Sequence, residues 1–524
     1  MKKGFFILTL FFSLYLFYLQ GSSWPFQQNK TDQLVYLCQE EFQTLDPARA
    51  QDYSSLKIIA NIYEGLVRFK PGSFEVEPCL ATGWEVSQDR LNWTFKLRPG
   101  VTFHDGTPFN AAAVKYSFDR QINNLTANTS MVFGMVESVQ VLDRLTVRFK
   151  LKFPYAPFLN NLALPFVAPI VSPAAAQKDG GDPALQPAGT GPYMLEKREQ
   201  GREIILKANP LYWGEKPALK KIIFRTEGDA AKRKRLILSG RADVIDAAPE
   251  DIPALENKGI KIWRVPGADI SYLGFYTNKK PFQDPGVRQA ACRAIDQPRL
   301  IQELFGENAI PAKGPLPPGI LGHAQELRQL PYDPQESRRL LAAAGYPQGL
   351  PITIITYAGK RPYNPAGGEK LARALAKQLA GAGFKTRVVV HPWEKFKKAL
   401  LDQEGDAFLY GWISDNGDPD NFLYTLFSSA QITTGLNATR YHNQRIDTLL
   451  ITAQRTPDPI LRARLYQDIQ KQLLQEAPAF FINHSLLAVA ASPAVSDLTL
   501  HPGGCIYFPN AKKQNRNKFS PNNE

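Results

Sequence analysis

An α/β protein of more than one lobe is the fold class that this 524-residue sequence predicts, and three observations lead there. The length exceeds what one hydrophobic core supports, since cores stop growing beyond about 250–300 residues. Strand-like and helix-like patterns mix from Leu34 onward without repeats or a long linker. Between Leu350 and Phe427 they fall in the order β-α-β-α-β, which closes right-handed into parallel sheet.

That unit rests on short, distinct signals. Ile352–Tyr357 is a β-branched strand, and Glu369–Ala380 places Leu371, Leu375 and Leu379 on one helical face before Gly381 and Gly383 end it. Lys385–Val390, Trp393–Gln403 and Asp406–Trp412 follow as strand, helix and strand. Earlier, Leu91–Leu97 and Leu145–Leu151 alternate apolar and polar residues, as half-buried antiparallel strands do. Ala111–Arg120 is a helix between them, with Asn110 as its N-cap, so this region forms a compact subdomain. Later helices run over Val287–Ile295, from Pro298 (capped by Asp296 or Gln297) to Gly306, from Asp333-Pro334 to Gly345, and from Asp458-Pro459 to Glu476.

The N-terminus bears on the compartment. Lys2 and Lys3 precede an apolar run from Gly4 to Leu19, and the small residues Gly21, Ser22 and Ser23 follow. Residues 1–23 therefore read as an export signal, with an uncleaved anchor as the alternative. No Cys follows to take a lipid, and the expected location is the periplasm. The net charge of +13 raises the question of nucleic acid, but the basic residues are spread out and the densest run, Lys232–Arg235, reads as a solvated helix face. The polar stretch 511–524 reads as a disordered tail.

Chemistry beyond binding finds little support. Cys38, Cys79, Cys292 and Cys505 are widely spaced with no C-x-x-C, so they read as disulfides or buried thiols rather than a metal or redox motif. Six His and four Met, unclustered, offer no metal site, and no cofactor is expected. No G-x-S-x-G, H-E-x-x-H, Walker A or G-x-G-x-x-G occurs, and His104-Asp105 belongs to an Asp-Gly-Thr-Pro turn. An enzyme is not expected.

In open α/β sheets ligands bind beyond the carboxyl ends of the strands. Two loops leave those ends here: Gly359–Pro365 after the first strand and Trp412–Asn421 after the third. They bring a guanidinium, Arg361, and a carboxylate, Asp415, to one edge across 54 residues of sequence. Arg grips a carboxylate through two parallel hydrogen bonds, and Asp is the natural partner of an ammonium, so the pair suits the ends of a zwitterion. Trp412 and Tyr363 would add flat walls. From spacing alone, a surface pair between Arg361 and Asp415 is the simpler reading, and Asp418 caps the helix that starts at Pro419.

The segments Arg361-Pro-Tyr-Asn-Pro365 and Gly417-Asp-Pro-Asp-Asn-Phe422, the latter following Gly411-Trp412, resemble the periplasmic dipeptide-binding proteins. These belong to the peptide/nickel class (family 5) of ABC-transporter solute-binding proteins. Similar matches occur at Leu34–Tyr36, Ile62–Gly72, Phe103–Phe109, Ser117–Gln121, Gly189–Tyr193 and Lys279–Ala290. The resemblance implies a two-lobed periplasmic-binding-protein fold of class II type. Lobe I would comprise 31–66, 188–270 and 487–510, with 67–187 inserted as a subdomain, and lobe II 271–486, with crossover strands near Ser271–Tyr276 and Phe480–Ala490. It implies that Arg361 holds the peptide carboxylate beside Pro362 and Tyr363, that Asp415 holds the α-ammonium, that Trp412, Ile413 and Ser414 line the pocket, and that Gln51 is the contact from lobe I. The family's cysteine pairs do not transfer, because the positions near Asp243, Ser429 and His442 are not Cys. A monomer that captures a short peptide, most often a dipeptide, for an inner-membrane permease and ATPase is therefore expected. Longer peptides, haem or nickel-type ligands are the alternatives within the class, and a peptide hydrolase lies outside it.

Overall fold

A computed structural model describes residues 31–123, 127–178, 182–199 and 201–515. The export signal assigned to 1–23 lies outside the described residues, as does 516–524. The fold is α/β, built on one mixed sheet of twelve strands. At one end Leu350–Tyr357 pairs in parallel with Phe384–His391 along its whole length and with Ala407–Ile413 at Ile354 and Ile355. The predicted β-α-β-α-β unit thus forms, its two helices being Gly368–Gly381 and Trp393–Leu401. Asp269–Phe275 runs antiparallel beside Ala407–Ile413. At the other end Gln33–Cys38 pairs in parallel with Lys221–Thr226 and Val244–Ile245.

One strand joins the two ends. Ala479–Ala491 is thirteen residues long. Its first half pairs with Ser271–Gly274, and its second half with Lys261–Pro266 and Val244–Ile245. Buried Asp269 reinforces the junction by accepting from the Ser485 amide at 2.8 Å.

Helix starts follow the Asp-Pro pattern because the side chain accepts a free first-turn amide and the proline lacks one. Asp333, Asp418 and Asp458 each cap in this way, and Asp296 does so with its proline one residue further on. Asp296, not Gln297, is the cap of its helix.

Three large cores result. Tyr36, Ile59, Phe224 and Phe508 belong to the first, and Leu273, Ile354, Leu375 and Leu409 to the second. The third starts under a four-stranded antiparallel sheet containing Asn92–Leu97 and Thr146–Leu151. It runs from Phe95, Phe118 and Phe149 without a break to Phe408, Phe422 and Leu473. The subdomain also grips the first core's side, where Arg120 donates to both oxygens of Asp46 at 2.5 and 2.6 Å.

Two expectations need correction. The tail is not wholly disordered: Lys512–Lys513 pairs with Val495–Ser496, because the Lys513 ammonium reaches buried Asp243 at 2.9 Å. The run Lys232–Arg235 is not simply a solvated face either. Arg233 turns inward and donates to the carbonyls of Asp246, Glu227 and Gly228, while Lys232 and Lys234 pair with Glu227 and Asp251. All four cysteines are buried free thiols.

Candidate functional site

The loop after Leu350–Tyr357 is closed by its own backbone. The Arg361 amide donates to Asn364 O at 3.2 Å and the Asn364 amide to Arg361 O at 2.8 Å. Asn364 Nδ2 donates to the Tyr357 hydroxyl at 3.0 Å, and Asn483 Nδ2 to Tyr363 O at 3.2 Å. So held, the loop lays the Arg361 guanidinium 3.6 Å from the ring centroid of Trp393, the first residue of the helix Trp393–Leu401. A guanidinium is attracted to an aromatic face, and this stacking fixes its plane without using its N–H groups. Among the described residues Arg361 has no ion-pair partner, and its Nε is buried without an acceptor. Pro362 is exposed. Tyr363 is buried, its ring lying where a Cβ on Gly411 would come within 2.3 Å, so that strand position admits only glycine.

The second loop is a chain of local bonds. The Ser414 amide donates to Ala268 O at 2.7 Å, Gly417 N to Ser414 Oγ at 3.0 Å, and Asp418 N to Asn416 Oδ1 at 3.0 Å. Asp418 then caps its helix through the Asp420 amide at 2.9 Å, and Arg462 clamps both Asp418 oxygens at 2.6 Å. Gly417 sits at φ 60 with Phe74 against it. Trp412 Nε1 donates to Asn421 Oδ1 at 2.8 Å. Asp415, within this fastened loop, has no hydrogen-bond or ion-pair partner among the described residues. Its carboxylate is open to a cavity, yet the surrounding protein withdraws enough water to push it up to about 6.

That cavity, of about 820 Å³, is lined from both ends of the large sheet and from segments between residues 129 and 167. Gln51, Trp412, Ile413, Ser414 and Asp415 line it. Arg361, Pro362 and Tyr363 stand outside the lining. The Arg361 charge nonetheless acts on Tyr410, which lies two residues before Trp412 on the same strand face. From the opposite wall Tyr53 faces Asp415, and burial together with the Asp415 and Asp269 carboxylates pushes its phenol well above the usual range.

The arrangement is a cavity between two halves of a sheet, with an unpaired anion in its lining and, outside that lining, a cation that has no ion-pair partner among the described residues. The bacterial extracellular solute-binding proteins, family 5, match this chain over residues 75–434. The chain belongs to this family. It is a non-enzymatic solute-binding component of an ABC transporter. Curated relatives of this family-5 protein include the dipeptide-binding protein of Escherichia coli K12, 33% identical over 86% of this chain and 88% of that one. The haem-binding protein A of Haemophilus influenzae is 33% identical over 85% and 86%, and a glutathione-binding protein of Escherichia coli O1:K1 is 32% identical over 92% and 94%. Among solved structures, HbpA2 of Haemophilus parasuis matches with a TM-score of 0.87 at 31% identity, covering 92% of this chain and all of that one.

Several contacts in the cavity of this family-5 protein have no sequence signal. Asp420, given no role of its own within the strand-end loop, lines the cavity and accepts from Tyr155 at 3.1 Å and from Gln454 at 3.2 Å. Burial first, then the neighbouring Asp418 charge, pushes it up to about 7. Asn416 donates to Asn161 Oδ1 at 2.7 Å, and Asn160 to Asn416 O at 3.1 Å. Tyr155, Asn160 and Asn161 lie more than 250 residues from the loop residues they meet, beyond the reach of any local pattern.

Proposed function

We propose that this solute-binding protein captures short peptides, dipeptides foremost, by their two charged ends. Asp415 takes the α-ammonium and Arg361 the carboxylate, with Trp412, Ile413 and Ser414 along the ligand, Tyr363 and Pro362 beside Arg361, and Gln51 as the contact from the opposite wall. The observation that carries the reading is that Asp415 and Arg361, at and near one cavity, neither pair with each other nor have another ion-pair partner among the described residues. Unpaired charges withdrawn from water are costly, and a zwitterion that joins both offsets that cost.

Lobe I is taken as 31–66, 188–270 and 487–510 with the insertion 67–187, and lobe II as 271–486. The protein works as a periplasmic monomer after loss of residues 1–23 and hands its peptide to an inner-membrane permease and ATPase. Calorimetry with Ala-Ala and N-acetyl-Ala-Ala tests the anchor. Acetylation removes the cation and leaves Asp415 unpaired, so the acetylated peptide should bind at least about a hundredfold more weakly. Equal affinities would refute the ammonium site. Mass spectrometry of ligand carried through purification tests the ligand class, and haem or glutathione alone in the released material would overturn the peptide reading.

A further inference from the structure

Resting on that reading, the cavity also says what the peptide carries. The Cα that bears the α-ammonium bears the first side chain as well. With the ammonium on Asp415 that side chain starts inside the cavity, while the second residue heads toward Arg361, outside its lining. About 820 Å³ is drug-sized space, far more than a peptide backbone fills. Leu56, Phe69, Met135, Leu164, Phe166 and Val167 give it apolar walls. Three of the polar neighbours are already engaged, Asn161, Asn416 and Gln454 donating to Val132 O, Asn161 Oδ1 and Asp420.

A second, independent feature lies in the same wall. Val167 adopts φ 55, where a β-branched residue is an outlier. The Ala168 amide donates to Phe166 O at 2.6 Å, closing a γ-turn of the positive-φ hand, which is rare and strained. The turn is held because the Val167 amide donates to Pro47 O at 2.9 Å and the Gln121 amide group donates to Val167 O. Strain of this kind persists where the surroundings over-determine it, and it gathers at ligand clamps. What this turn fixes is Phe166, which lines the cavity and packs against two of the cores.

We infer that the space beside Asp415 is a pocket for a bulky apolar side chain on the ligand's first residue, with Phe166 as its selectivity wall and the turn at Val167 holding that wall in place. Phe166 is a specificity residue, and Val167 a positioning residue.

Calorimetry with Ala-Ala, Phe-Ala and Ala-Phe, on protein freed of bound ligand by unfolding and refolding, tests this. Phe-Ala should bind at least about tenfold more tightly than either other peptide. Phe166→Ala should reduce that advantage to about threefold or less. Phe166→Leu, which keeps apolar packing, should give an intermediate ratio at an unchanged melting temperature. Val167→Gly suits the backbone angle but removes a buried side chain, so the melting temperature should fall by a few degrees while the ratio also falls. If Ala-Ala binds but Phe-Ala and Ala-Phe are equal, the pocket is overturned and the peptide reading stands. If none of the three binds, the peptide reading itself falls. An unchanged ratio in Phe166→Ala removes Phe166 as the wall, and one in Val167→Gly removes the turn as its support.

Discussion

Replacing Arg462 by Met should destabilise the protein by about 3–5 kcal/mol at neutral pH, the cost of leaving one member of a buried ion pair alone. The structure sets that scale. Both guanidinium ends bond Asp418 at 2.6 Å, and the two side chains are only 6% and 2% exposed. Methionine fills much of the stem volume, so the loss is electrostatic rather than steric. Asp420, already pushed up to about 7 by burial and by Asp418, would lose the cation that now lowers it. Two buried carboxyls would then face each other with no counter-charge. Denaturant titration followed by tryptophan fluorescence measures the deficit. The double variant Asp418→Asn/Arg462→Met should recover most of it, since removing both partners of a buried pair is close to neutral. The sign with pH follows from Asp420, whose carboxyl is already raised and would rise further without Arg462. The deficit is present above that pKa and shrinks as pH falls through it, from about pH 7 downward. A neutral-pH deficit below about 1 kcal/mol, or an equal deficit in the double variant, would refute the reasoning.

Other outcomes follow from the same contacts. Arg361→Ala should weaken dipeptide binding by about 2–5 kcal/mol, and Arg361→Lys should restore only part of it because the two-pronged geometry is lost; calorimetry at wild-type affinity would return Arg361 to a surface role. Dipeptide affinity should be full above about pH 6 and fall as Asp415 protonates, by up to about tenfold per unit, while Asp415→Asn should give a weak, flat profile. Gly417→Ala must place a Cβ 2.0 Å from Phe74 on a left-handed backbone, so melting temperature and affinity should both drop. Lys513→Met leaves Asp243, 3% exposed, without its ammonium and should destabilise by about 2–4 kcal/mol in denaturant titration.

What could be read from the sequence follows the range over which each signal acts. The β-α-β-α-β unit and the Asp-Pro helix starts were legible because strand periodicity and capping chemistry act within a few residues. Asp415 and Trp412 were legible as members of a strand-end loop. Arg361 was legible as a residue, but the side it faces was not, since its stacking on Trp393 depends on a helix 32 residues later. Tyr53, Tyr155, Asn161 and Phe166 carry no local mark of a site. They meet Asp415, Asp420 and Asn416 only through the folded topology. Arg233 misled for the converse reason: four consecutive cations resemble a solvated face, yet helical rotation turns one of them inward onto backbone carbonyls. The tail misled because its polarity hides one long-range ion pair.

The shared strand Ala479–Ala491 also bears on the order in which the chain can assemble. Until that strand leaves the ribosome, Asp269–Phe275 and Lys261–Pro266 present open edges, and the large sheet exists only as two unjoined pieces. Unpaired edges are templates for adhesion to other chains. More than nine-tenths of the polypeptide is therefore synthesised before its central seam can close. A nonsense codon between residues 414 and 478 therefore yields not one folded lobe and a fragment but two sheets without a seam.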